Sequence, residues 1–263
     1  MNAHCLLWVT LLLPAFQLDL DAGTEVALQK TVEIPAGDFK PLFRSEDDLK
    51  KIPVRGFRLD KTPVSNSDYL KFVRANPKWQ RDQVKRIFAD SNYLNNWPGN
   101  LDFGDETNGN QPVVFVSWFA AKAYSQWKGG RLATNAEWEL AGAAGYKSSD
   151  AKNEPEFQKD IQTWYFTPSP ETLHAVDAGR ANFYGLKNMH GLIWEWTSDF
   201  NSAFVSGDAR GDNGLDRQLF CGSGSLGASD RSDYAAFMRY GFRSSLKASY
   251  TVHNLGFRCA YDL

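Results

Sequence analysis

From Arg81 to Gly109 the chain shows neither a helical nor a strand period, and turn formers punctuate it at Asn95, Asn96, Pro98, Gly99, Asn100, Gly104 and Asn108. Long loops of this kind often carry function. From about Thr167 onward short apolar runs are again broken by Gly, Asn and Asp, which predicts small strands and irregular loops rather than long helices. Both stretches are thus expected to be loop-rich. The chain's 9 Trp and 18 Phe supply an aromatic core, and 263 residues are compatible with one sizeable domain.

The regular elements that can be read lie before that point. Val32 to Ile34 is a strand followed by a turn at Pro35-Ala36-Gly37-Asp38, and Val54 to Leu59 is a second strand candidate. Ser65 is placed to cap a helix with Tyr69, Leu70, Phe72 and Val73 on its inner side, which Asn76-Pro77 stops. Val113 to Val116 reads as a buried strand. Ser117 then caps a helix striped by Phe119, Ala120, Ala123, Tyr124 and Trp127, and Gly129-Gly130 ends it. Thr134-Asn135-Ala136-Glu137 is a capping box that opens a further helix bearing Trp138 and Ala141.

Residues 1–22 read as a signal peptide, because the apolar run Leu6 to Phe16 is too short to span a bilayer; the competing readings are an ordinary buried segment and an uncleaved anchor, and the domain is expected over residues 30–263. Export to a periplasm follows. Cys5 falls in that leader, so Cys221 and Cys259 are left to form one disulfide or to stand as two buried thiols. Neither has the neighbours of a zinc site. The balance of 29 Lys and Arg against 31 Asp and Glu, a net charge of −2, argues against a nucleic-acid partner. Met189 and Met238 are too few for a Met-rich copper carrier. His174, His190 and His253 are too scattered for an iron site, and each reads as a structural histidine, His190 the least so because it lies beside HGLIWEW.

Several segments together resemble the formylglycine-generating enzyme, or sulfatase-modifying factor, family. They are IPAGDF at 34–39, GFRLDKTPVSNSDYLKFV at 56–73, QPVVFVSWFAAKAYSQW at 111–127 and GGRLATNAEWELAGAAG at 129–145. YGLKNMHGLIWEWTSD at 184–199, CGSGS at 221–225, RYGFRSS at 239–245 and NLGFRCA at 254–260 complete the set. The resemblance implies an α+β domain of low regular secondary structure, related to the C-type-lectin-like fold, often with structural calcium. It does not fix a reaction, since the family includes oxidases, sulfoxide synthases and a pyoverdine-maturation protein.

In the family's oxidases two cysteines hold copper between the Gly-Gly-Ser segment and the Arg-rich segment. The register of LGASDRSDYAAFM at 226–238 sets Asp230 and Ala235 at those positions, so the resemblance implies no oxidase activity of that kind, and copper and iron are not expected. The candidate site residues are Asp230, Asp233, Tyr234 and Arg239, with Arg231 and Arg243 beside them. The competing reading is a solvated loop whose surface ion pairs are worth under about 1 kcal/mol each. Cys259 matches a position that in the family is a structural disulfide partner. Trp194 and Trp196 look like scaffold, and Glu195 like a buried acceptor rather than an acid. Ser223 and Ser225 lack a histidine partner. Weak calcium candidates are Asp208, Asp212 and Asp216, with Asn213. The family's calcium segment offers an Asn where this chain has Leu192.

Within the family, FRLDKTPVSNSDYLKFVRANPKW, SNYLNNW, NMHGLIWEW, DFNSAFVSGDAR, FCGSGS and DRSDYAAFMR resemble accessory proteins encoded beside copper nitrite reductases in denitrifying bacteria. The expected function is therefore an exported accessory or maturation factor acting on a periplasmic metalloenzyme. The other class is an oxidoreductase acting on a peptide substrate through a metal held by oxygen and nitrogen ligands.

Overall fold

The computed structural model describes residues 30–41, 51–201 and 234–263. A four-stranded antiparallel sheet organises them in the order β1 (Thr31–Ile34), β4 (Phe57–Asp60), β8 (Cys259–Asp262) and β5 (Arg131–Leu132). The C-terminal strand is therefore central. Two small pairings stand apart: β2 (Gly37–Phe39) runs antiparallel to β3 (Ile52–Val54), and β6 (Trp194–Glu195) runs parallel to β7 (Leu255–Gly256). The strand expected over Val54 to Leu59 is interrupted at Arg55-Gly56, where β3 ends and β4 begins.

Helices α1 (Asn66–Ala75), α2 (Trp118–Trp127) and α3 (Asn135–Gly142) begin where their caps predict. Ser65 accepts from the Asp68 amide, Ser117 from the Ala120 amide, and Thr134 and Glu137 make a reciprocal capping box. Each cap satisfies donors that the first helical turn leaves open. Two further helices among the described residues are α4 (Pro155–Phe166) and α5 (Tyr234–Ser244), and α5 corrects the expectation of irregular structure beyond Thr167.

Val113 to Val116 is not a strand. It is a buried connector whose backbone is satisfied one bond at a time, from Val113 N–H to Val64 O and from Phe115 N–H to Val252 O, with Phe115 at a φ of 56°. A left-handed residue interrupts the pleat that a strand would need.

Side chains alternate across β8, and this divides the interior. Cys259 faces an aromatic core with Tyr69, Phe72, Trp97, Tyr124, Trp196 and Phe257. Ala260 faces the opposite cluster, where Ile34, Phe57 and Leu59 meet Trp138, Ala141 and Met189. Two polar contacts cross the aromatic core: Tyr69 and Tyr93 share a hydroxyl hydrogen bond of 2.7 Å, and the Trp97 indole donates to Asn66 at 3.0 Å. Trp127, expected in the stripe of α2, is 44% exposed at its end.

Candidate functional site

Glu139 projects from α3 into the interior, and α5 supplies Arg239 and Arg243 one turn apart on a single face. Arg239 donates through Nε at 2.9 Å to Oε1 and through Nη2 at 2.6 Å to Oε2, while Arg243 Nη1 reaches Oε1 at 2.8 Å. Tyr165 of α4 accepts from Arg239 Nη1 at 3.1 Å. Both guanidinium groups also lie over the Trp138 ring, at 5.5 and 4.8 Å from its centroid. Burial pushes the Glu139 carboxyl up, but the two arginines outweigh it and hold the group down at about 2. These are buried pairs, not the surface ion pairs that the competing reading expected of Arg239 and Arg243.

His190 borders this cluster, edge-on to Trp138 and Phe157. Its Nε2 lies 2.9 Å from Gly142 O, and because a carbonyl only accepts, Nε2 carries the proton. Nδ1 is buried without a partner among the described residues. Desolvation, reinforced by Arg239, pushes its pKa down to about 3, so the ring is neutral.

A second buried pair meets Trp138 through its indole N–H. Arg258 clamps Glu195 through Nε and Nη2, and Glu195 accepts the Trp138 indole at 2.8 Å, which is the acceptor role that its sequence position suggested. The remaining guanidinium donors reach the backbone oxygens of Asp60, Lys61 and Lys187. Trp196 donates to Val116 O.

Of the sequence candidates, Arg239 and Arg243 are brought together. Tyr234 is not with them: it is 46% exposed at the start of α5 and stacks on Phe166 at 5.6 Å. Asp208, Asp212, Asn213, Asp216, Cys221, Ser223, Ser225, Asp230, Arg231 and Asp233 lie outside the described residues. Glu139 and Tyr165 were not singled out from the sequence, although two arginines spaced i, i+4 on a core face call for a buried anion.

The described donors do not fit a copper-thiolate centre. Ala235 has no thiol, and its side chain packs against Ala151, Phe157 and Ile161. Cys259 has no disulfide partner among the described residues and is fully buried in the aromatic core, 3.5 Å from the Ser125 hydroxyl, and burial pushes its pKa well up. An un-ionised thiol is a poor metal ligand. Leu192, at the family's calcium position, packs with Val114, Leu173 and Ile193 and offers no side-chain oxygen. Among the described residues no three His, Cys, Asp or Glu side chains gather around a metal-sized position.

Chemically, the arrangement is a clamp. A carboxylate held by two guanidinium groups does not take up a proton at neutral pH, and a buried neutral imidazole is no acid there. The cluster instead ties α3, α4 and α5 to the segment carrying Glu195.

The family model described as a sulfatase-modifying factor enzyme 1-like domain matches residues 19–263. The formylglycine-generating enzyme of Mus musculus is 32% identical over 287 residues, spanning 90% of this chain and 76% of that protein. The inactive C-alpha-formylglycine-generating enzyme 2 of Bos taurus is 28% identical over 298 residues, spanning 97% of this chain and 94% of its own length. A solved structure of PvdO from Pseudomonas aeruginosa aligns with a TM-score of 0.48 at 17% identity, covering 89% of this chain and 94% of that one.

Proposed function

We propose, from the premise that this chain belongs to the sulfatase-modifying factor family, that it is an exported accessory or maturation factor and not a formylglycine-generating oxidase. One observation carries the reading. The position that the motif register aligns with the second cysteine of the family's oxidases is Ala235, whose methyl group is packed against the α4 cluster. A methyl group neither ionises nor ligates copper, so no thiolate pair can form there. The likeness to a relative named as inactive, over 97% of this chain, supports the same reading.

The partner in this proposal is a periplasmic copper nitrite reductase, on the strength of the FRLDKTPVSNSDYLKFVRANPKW and DRSDYAAFMR segments. Export rests on the short apolar run Leu6 to Phe16. No helix among the described residues is long and apolar enough to cross a membrane. A structural calcium held by Asp208, Asp212 and Asp216 belongs to the same proposal.

The test is co-expression with and without the reductase, followed by affinity capture, elemental analysis and oxygen consumption with cysteine-containing peptides. Co-purification with the reductase, calcium or no metal on this chain, and no oxygen uptake are expected. Stoichiometric iron or copper that Asp230→Ala abolishes would replace the proposal with a metal-dependent oxidoreductase.

A further inference from the structure

Away from the arginine clamp, a cleft of about 270 Å³ opens between the end of β4, the start of α1 and the end of α2. Asp60, Tyr124 and Lys128 are among the residues that line it. Asp60 accepts on its protein side from the Cys259 amide at 3.1 Å and the Tyr261 hydroxyl at 3.3 Å. An ionised carboxyl has about four acceptor positions, so capacity is left toward the cleft. Tyr124 is held by stacking on Tyr69 and by edge contact with Phe257, and it lines the cleft with its hydroxyl making no hydrogen bond to another described residue. A hydroxyl there can donate to or accept from a ligand. The Lys128 ammonium likewise has neither an ion-pair nor a hydrogen-bond partner among the described residues, whereas the neighbouring Asp68 is taken by Lys71 at 2.8 Å and Lys30 at 3.7 Å.

Among the polar groups of the cleft, which also include Thr62 and Asp177, are thus a carboxyl, a hydroxyl and an ammonium with capacity left for a ligand. A ligand that satisfies all three carries a cationic donor and an anionic acceptor a short distance apart, and the volume limits it to a small molecule. We propose that this cleft binds a free α-amino acid, its ammonium group on Asp60, its carboxylate on Lys128 and the Tyr124 hydroxyl bridging the two. Pro63, Val64 and Val176 on the same wall favour a small aliphatic side chain. The inference is independent of the accessory role and stands or falls without it.

Titration calorimetry of the full-length chain at neutral pH tests it, with glycine, alanine, valine and glutamate as ligands. Alaninamide and acetate serve as the ammonium-only and carboxylate-only probes. A small aliphatic amino acid is expected to bind saturably at one site, about tenfold or more tighter than either probe. Tyr124→Phe and Lys128→Met are each expected to weaken it about tenfold, with near-ultraviolet circular dichroism unchanged. Absence of binding by every amino acid up to about 10 mM would overturn the proposal. So would binding that both variants leave intact, or alaninamide or acetate binding as tightly as alanine.

Discussion

Trp138 donates its indole N–H to Glu195 at 2.8 Å while the Arg243 guanidinium lies 4.8 Å from the centre of its ring. One side chain therefore touches both buried ion clusters, one through its edge and one through its face. Trp138→Phe keeps an aromatic face for the arginines but removes the donor from Glu195. A hydrogen bond to a buried charge contributes about 1.5–3 kcal/mol, so a loss of that size is expected in urea unfolding. A loss near zero would mean that Arg258 alone satisfies Glu195.

Glu139→Gln is expected to cost more. It leaves Arg239 and Arg243 facing each other without the charge that compensates them, and breaking a buried pair by removing one partner costs about 3–5 kcal/mol. Because two cations share this one anion, Arg243→Met should cost less than Glu139→Gln. Equilibrium unfolding of the two variants checks the ordering.

Much of the front half of this fold is legible in the sequence because its signals are local. Ser65, Ser117 and Thr134 announce helix starts through side chains that bond amides three residues on, and no tertiary knowledge is needed to read them. The back half is different. The buried face of α5 is Ala236, Arg239, Tyr240 and Arg243, a helical spacing in which two of four positions are charged, so hydrophobic periodicity does not reveal it. Helix α4 has no side-chain cap, only Pro155 at its start and the Phe157 and Ile161 pair. The site follows the same rule. Arg239 and Arg243 could be named from sequence, but their partner Glu139 lies 100 residues from Arg239, a separation that no local pattern spans.

Cys259 and Ser125 point to a simple stabilising change. Both are fully buried, and their side-chain heteroatoms are 3.5 Å apart, so Ser125→Cys brings two sulfurs within a small rotation of the S–S bond length of about 2.05 Å. The positions are 134 residues apart, and closing a loop of that size is worth about 5 kcal/mol in the chain-entropy model before strain is subtracted. Loss of the Cys259 thiol in a quantitative thiol assay, with a higher Tm under oxidising conditions, is the expected result. If Cys259 is already oxidised in the unaltered protein, Cys221 is its partner and the variant will not gain.

The pH dependence of stability follows from three groups with different signs. The Glu139 carboxyl is held at about 2 against 4.5 unfolded, so its contribution, of order 3 kcal/mol, is present above pH 4.5 and is lost as pH falls toward 2. His190 is held near 3 against 6.5 unfolded, so the unfolded chain gains a proton first and stability drops as pH falls below 6.5. Asp60 opposes both: burial raises its carboxyl to about 6 from 3.8, the folded state binds the proton first, and stability rises as pH falls through that window. Urea midpoints should therefore change little between about pH 6 and 4.5 and fall steeply below about pH 4, where Asp60 no longer compensates. Asp60→Asn should expose the His190 loss from about pH 6 downward, and His190→Gln should turn the same interval into a gain on acidification. A midpoint that falls steadily from pH 6 in the unaltered protein would show that Asp60 is ionised throughout that range in the folded state.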